Sequence, residues 1–178
     1  MVSRKLIYSI EENLNLMTGQ WLNEVKKSDF LVTYKNFDEK EVVNRAKLVY
    51  QNLKLWLERG ASVDEIAEYF EQIGAQRLKE GFPLTEVHYA LYVSKKIFWS
   101  NIDWRDNISG NFITNHATEI MSLLNNYFDL GNFYVTRGYF HEMFNMLDSS
   151  KTFDKNELEN ILCKGKLPPT VFQDEELK

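Results

Sequence analysis

Apolar residues recur every three or four positions through most of the chain, beginning with Leu6, Ile10, Leu14, Met17, Trp21 and Val25. That spacing marks one face of an amphipathic helix and predicts a first helix over Ser3–Lys27. Gly19 lies inside it and costs about 1 kcal/mol relative to alanine, either tolerated or used for a close helix approach. The period lapses over Ser28–Phe37, which reads as a loop. A second stripe follows: Val42, Ala46, Val49, Leu53 and Trp56, with Leu57 beside it. Asp38 and Glu41 have capping-box spacing at its start, and Gly60 suits a left-handed helix terminus at its end.

A third helix begins at a second box, Ser62 and Glu65, and buries Val63, Ile66, Ala67, Phe70, Ile73 and Gly74 before Gly81 stops it. Pro83 then opens a fourth helix running to Ile102, at a position where its missing amide is harmless. So short a connection predicts adjacent, roughly antiparallel helices. The fourth helix has two apolar stripes, Leu84, Val87, Leu91 and Phe98, then Tyr89, Val93, Ile97 and Trp104. Such a helix sits centrally. After a polar turn at Asp106–Gly110, a fifth helix spans Asn111–Leu147 along Ile113, Ala117, Ile120, Leu124, Tyr127, Gly131 and Tyr134. Gly131 and Gly138 predict a kink or break in it.

The resulting expectation is an all-α, single-domain bundle of about five long helices, with a globin-like or four-helix-bundle core. Residues 1–147 form the helical domain and 148–178 a C-terminal extension. In the extension, Asp154, Glu157 and Gly165 delimit a short helix over 154–164, and a mobile tail follows. Composition agrees: 8 glycines and 3 prolines in 178 residues are too few for the turns of an all-β sandwich, and 14% aromatic residues supply ample core.

Charge and cysteine content exclude several classes. A net charge of −5 without a basic run offers no footprint for nucleic acid. The single cysteine, Cys163, excludes a disulfide framework and a multi-cysteine zinc site. No stretch reads as a signal peptide or a membrane span, so the expectation is a cytoplasmic protein without membrane association.

The candidate chemistry is sparse. His116 and Glu119 share a helical face at i, i+3, which is half of a helical metal site, but carboxylate-bridged bundles need Glu-x-x-His units that are absent here. His116 therefore reads as a packing residue. His88 and His141 are the residues a haem-binding alternative would use, without any attachment motif. Neither a P-loop nor a dinucleotide fingerprint occurs. The reading assigns no catalytic residue, no metal site and no cofactor.

The most informative stretch is IGAQRLKEGFPLTEVHYALYVSKKIFW, residues 73–99. Arg77 and Glu80 precede the Gly81–Pro83 corner, and Glu86 follows in a first helical turn, where the helix dipole favours it. An Arg77–Glu86 ion pair across the corner is expected. The pattern Arg77, Glu80, Gly81, Pro83, Leu84, Glu86 and Trp99, with GQWLNEVKKS around Trp21 and LVYQNLKLWLERG ending at Gly60, resembles the RsbRD N-terminal domain family. Members stand at the front of RsbT co-antagonist-like bacterial signalling proteins. The likeness covers roughly residues 8–147. It implies a non-catalytic, all-helical input domain that acts with a kinase, an anti-sigma-antagonist domain or a transcriptional regulator, in cis or in trans. The 31 residues after Leu147 are too few for such an output domain.

From Phe128 to Phe144 the fifth helix carries six aromatics: Phe128, Phe133, Tyr134, Tyr139, Phe140 and Phe144. They spread around the helix more widely than one core can cover. They are thus candidates for a homodimer interface or for lining a small-ligand pocket inside the bundle.

Overall fold

The computed structural model describes residues 4–102, 113–150 and 156, and among them the chain forms six helices and no strand. They are α1 (Arg4–Lys27), α2 (Val32–Asn36), α3 (Glu39–Glu58), α4 (Val63–Lys79), α5 (Leu84–Asn101) and α6 (Ile113–Ser150). The fold is the all-α bundle that the hydrophobic pattern predicts. No helix among the described residues is long and apolar enough to cross a membrane. The predicted 154–164 helix, apart from residue 156, lies outside the described residues, as do the tail, Cys163 and Trp104.

Local chemistry sets the helix ends. Asp38 Oδ1 accepts the Glu41 amide at 3.0 Å and so starts α3. At the other end Gly60 turns left-handed (φ 93°), and the Ala61 amide donates back to the Trp56 carbonyl at 2.9 Å. The end of α4 is built the same way. Gly81 has φ 78°, its amide reaches the Leu78 carbonyl, and the Phe82 amide reaches the Arg77 carbonyl, both at 2.9 Å. Such a closure satisfies carbonyls that the last helical turn leaves free. It also swings Phe82 into the core against Tyr34 and Phe37. Pro83 is then the N-cap of α5, its carbonyl accepting the Glu86 and Val87 amides. The second predicted capping box is not made: the Ser62 side chain caps nothing, and its carbonyl instead accepts the Trp56 indole at 2.7 Å.

Helix α5 is central, as its two stripes predict. It touches α1, α2, α4 and α6, while α1 packs on α3 and α4 packs along α6. By contrast α3 and α4, though joined by a short connection, hardly touch. Tyrosines help hold the layers together from inside. The Tyr50 hydroxyl donates to the Ser94 carbonyl, and that of Tyr127 to the Val49 carbonyl, at 3.1 and 2.9 Å.

Two expectations are corrected here. The segment read as a loop contains α2, one and a half turns long, with Tyr34 buried between Trp21 and Phe82. The kink expected at Gly131 or Gly138 is absent, and α6 runs unbroken through both. These glycines, with Gly74, form the seam on which α4 and α6 meet. A Cβ on Gly138 would strike the Glu71 carbonyl and lie 2.6 Å from its Cα; one on Gly74 would strike the Val135 carbonyl. At Gly131 a Cβ would lie 2.8 Å from the Phe70 ring. All three are well inside carbon contact distance, so hydrogen in place of a side chain sets the helix spacing. Gly19 differs: it is exposed, and a Cβ there would meet nothing within 4 Å.

Candidate functional site

Because α3 and α4 diverge, the space between them is closed only partly by α1, α2 and α5, and a cavity of about 110 Å³ remains. Small residues make it: Ala46 on α3, and Ala90 and Ser94 on α5, lie where larger side chains would fill the gap. Trp21, Val49, Val87 and Leu91 give it apolar walls, and half-exposed Leu48 marks its rim. At one end stand Tyr34, Tyr69, Arg45 and Arg77.

That end is the rear of the Gly81–Pro83 corner. Glu80 is the hub of a cluster tying α3 to α4. Its Oε2 accepts from Arg45 Nη1 at 2.8 Å and Arg77 Nη1 at 2.9 Å. Its Oε1 accepts from Arg45 Nη2 and Gln76 Nε2, both at 2.9 Å. Burial pushes the Glu80 carboxyl up, but the Gln76 amide and the two guanidinium groups outweigh it and hold the group below its ordinary value. Phe82 lies under both cations, 5.3 Å from the Arg45 guanidinium carbon and 5.7 Å from that of Arg77. Cation–π contact of this kind favours arginine over lysine.

The expected Arg77–Glu86 pair is replaced by two separate arrangements. Arg77 takes its nearer, i, i+3 neighbour Glu80. Glu86, only 9% exposed, turns to α2 instead. It accepts the Thr33 amide at 2.9 Å and the Thr33 hydroxyl at 3.0 Å. Its carboxylate thus caps the first turn of α2, where free amides and the helix dipole both favour a negative charge.

Arg77 is 8% exposed, and its Nε is buried with no acceptor. A buried donor left unpaired costs about 1–3 kcal/mol, more when it belongs to a charged group. Every acceptor site on Glu80 is already in use. The Tyr34 hydroxyl faces the same guanidinium; burial raises its pKa, and Arg77 opposes that rise.

The remaining predicted residues scatter. Leu84 and Trp99 are half-buried and pack against the core, Trp99 edge-on to Phe98. Phe128 is fully buried and belongs to neither interface nor pocket: it is core, beside Phe98 and Tyr127. Tyr139 is anchored at the corner, its hydroxyl donating to the Phe82 carbonyl at 3.0 Å. Tyr134, Phe140 and Phe144 are partly buried, while Phe133 is 58% exposed. None of the six lines the cavity.

Nor do the described histidines line it. His88 Nε2 lies 2.8 Å from the Thr136 hydroxyl, and burial lowers its pKa. His141 is exposed on α6, and the His116 side chain lies outside the described residues. Among the described residues no group of three or more His, Cys, Asp and Glu side chains is placed to hold a metal ion.

Arg45 and Tyr34 are the site residues that sequence reasoning missed. Arg45 directly precedes Ala46 in the inward stripe, a charge at the margin of an apolar face, which is a readable signal. Tyr34 lies in the segment 28–37, where the helical period lapses and gives no signal. Comparison with known protein families, with curated proteins and with solved structures finds no match to this chain.

Proposed function

We propose that this chain is a cytoplasmic, non-catalytic sensory input domain of bacterial signal transduction, and that its signal is a small molecule taken into the cavity between α3 and α4. One observation carries the reading: the bundle leaves a largely apolar space open, and a buried guanidinium at its end keeps an unpaired donor. Ligand sites have this composition, apolar walls with a few fixed polar groups. The resemblance of the Arg77–Trp99 stretch to RsbRD N-terminal domains supports the signalling role, because the same corner forms the polar end of the cavity.

A transmission route follows from the packing. Helix α4 lines the cavity on one side and meets α6 along the glycine seam on the other. Helix α6 has 38 residues and is therefore about 57 Å long. A ligand that changes the α3–α4 separation moves α4, and the backbone-to-backbone contacts at Gly74 and Gly138 pass that movement to α6. The partner read from α6 would be a kinase, an anti-sigma-antagonist domain or a transcriptional regulator.

The reading is tested by a thermal-shift screen of small metabolites against the wild type and Ala46→Leu, whose three added carbons occupy the cavity. Binding to the cavity predicts compounds that raise the wild-type Tm and leave the variant unmoved. A screen in which every hit stabilises both proteins equally overturns the reading.

A second reading, homodimerisation, rests on different residues. Phe30 is 70% and Tyr92 55% exposed, and both stack on Tyr89, with ring centroids 5.2 and 5.7 Å apart. Exposed aromatics gathered in this way mark association surfaces. Light scattering tests it: a dimer that Tyr92→Ser converts to monomer supports it, and a monomeric wild type at high concentration refutes it.

A further inference from the structure

We infer that the cavity takes a small carboxylic acid with a branched or short apolar body, its carboxylate held at the Arg77 Nε edge. The inference rests on the sensory reading and adds the ligand's chemistry.

Size comes first. A space of about 110 Å³ is smaller than the roughly 150 Å³ apolar cavity that admits benzene, so it holds about five or six non-hydrogen atoms. Nucleotides, haem and long acyl chains are too large. The walls set the body: Trp21, Val49, Val87 and Leu91 offer no hydrogen-bonding atom to a ligand, since the Trp21 indole N–H is directed to the Ala90 carbonyl at 3.3 Å. The Ser94 hydroxyl is likewise committed to the Ala90 carbonyl, at 2.9 Å. Away from the end where Tyr34, Tyr69, Arg45 and Arg77 stand, the ligand body is therefore hydrocarbon.

Charge sets the head. Two guanidinium groups share the single Glu80 carboxylate, and the four donors it accepts fill its lone-pair directions. The next carboxylate, Glu86, is engaged by Thr33. Arg77 Nε thus remains a buried, permanently charged donor that no side chain of the cluster reaches. A carboxylate oxygen entering from the cavity supplies the missing acceptor and balances the surplus cation. Charge-assisted hydrogen bonds of this type are about twice as strong as neutral ones, so an acid is preferred over an alcohol of equal shape.

The experiment is a ¹⁵N-detected titration of the full chain with 2-methylpropanoate and, separately, 2-methylpropan-1-ol, following the Arg77 Nε–H and Trp21 Nε1–H resonances. The acid should saturate with a dissociation constant of roughly 0.1–1 mM. It should bind at least about tenfold more tightly than the alcohol and move both resonances. Arg77→Gln, which removes Nε and the surplus positive charge together, should abolish the preference for the acid. If that variant does not fold, Ala46→Leu, which leaves the cluster intact, must still lose acid binding. Should the alcohol bind as tightly as the acid, the carboxylate head is refuted while the sensory cavity stands. If neither probe moves these resonances, or the acid moves them equally in Ala46→Leu, the acid is refuted, and the metabolite screen alone decides the underlying reading.

Discussion

Replacing Gly138 with alanine sets two physical effects against each other. In an exposed helix the change adds about 1 kcal/mol of stability, since glycine is the poorer helix former. At position 138, however, the new Cβ would lie 2.6 Å from Glu71 Cα and 2.7 Å from its carbonyl carbon. Ordinary carbon contact begins near 3.5 Å, so α4 and α6 must part by about 0.9 Å. The obstacle is backbone and has no rotamer to move away. Gaps of that size forfeit a quarter to a half of the dispersion energy across the affected contacts, and overpacking of this kind costs typically 1–3 kcal/mol. Near the upper end of that range, the net loss is about 1–2 kcal/mol. Gly19→Ala is the control, because its Cβ meets nothing. The control should gain about 1 kcal/mol and raise Tm by about 2–4 °C, while Gly138→Ala lowers it by about 2–8 °C. Urea and thermal unfolding, followed by far-ultraviolet circular dichroism, read both. Gly138→Ala as stable as the wild type would refute the close α4–α6 seam, whatever the control does.

Two further perturbations probe the corner and the α5–α6 contact. Glu86→Ala leaves the Thr33 amide and hydroxyl without their acceptor and should cost about 2 kcal/mol. The loss should appear first as faster hydrogen exchange over Val32–Asn36, and unchanged exchange there would show that α2 does not depend on this cap. The pH dependence has a definite sign. Both Glu80 and His88 have folded pKa values below their ordinary ones, 4.5 and 6.5. Protons therefore bind the unfolded chain more tightly at both sites, and stability falls on acidification. For His88 the decline begins as the pH drops through about 6.5 and ends once it is below the folded value. For Glu80 it begins near pH 4.5 and continues through its lower folded value. The urea midpoint of His88→Gln, measured from pH 7.5 to 5, should vary less than that of the wild type; parallel curves would contradict the burial of a neutral imidazole.

Long periodic stripes made the large helices legible, because a three-to-four spacing sustained over five turns has no other use. The short helix α2 was not legible for a converse reason. Five residues are too few to show a period, and what holds them helical is Glu86, 53 positions away in the chain. Gly131 and Gly138 are the instructive pair. Read alone, a glycine in a helix is a weak point; only the neighbour across the seam turns it into a contact, and a single sequence does not say what lies opposite. The polar corner was found but its pairing was misassigned, although the i, i+3 spacing of Arg77 and Glu80 is the local solution that helix geometry favours. The cavity was invisible because it is made by absence. Ala46, Ala90 and Ser94 are unremarkable in their own helices and leave a void only where α3 and α5 border the gap beside α4.

Xenon tests that void most directly, since apolar cavities of this size bind it without assistance from charge. Crystals pressurised with xenon should show a single strong site among Trp21, Val49, Val87 and Leu91, and that site should vanish in Ala46→Leu. An empty or water-filled space in the wild type, or xenon retained in the variant, would contradict the account of this bundle as a ligand-binding domain.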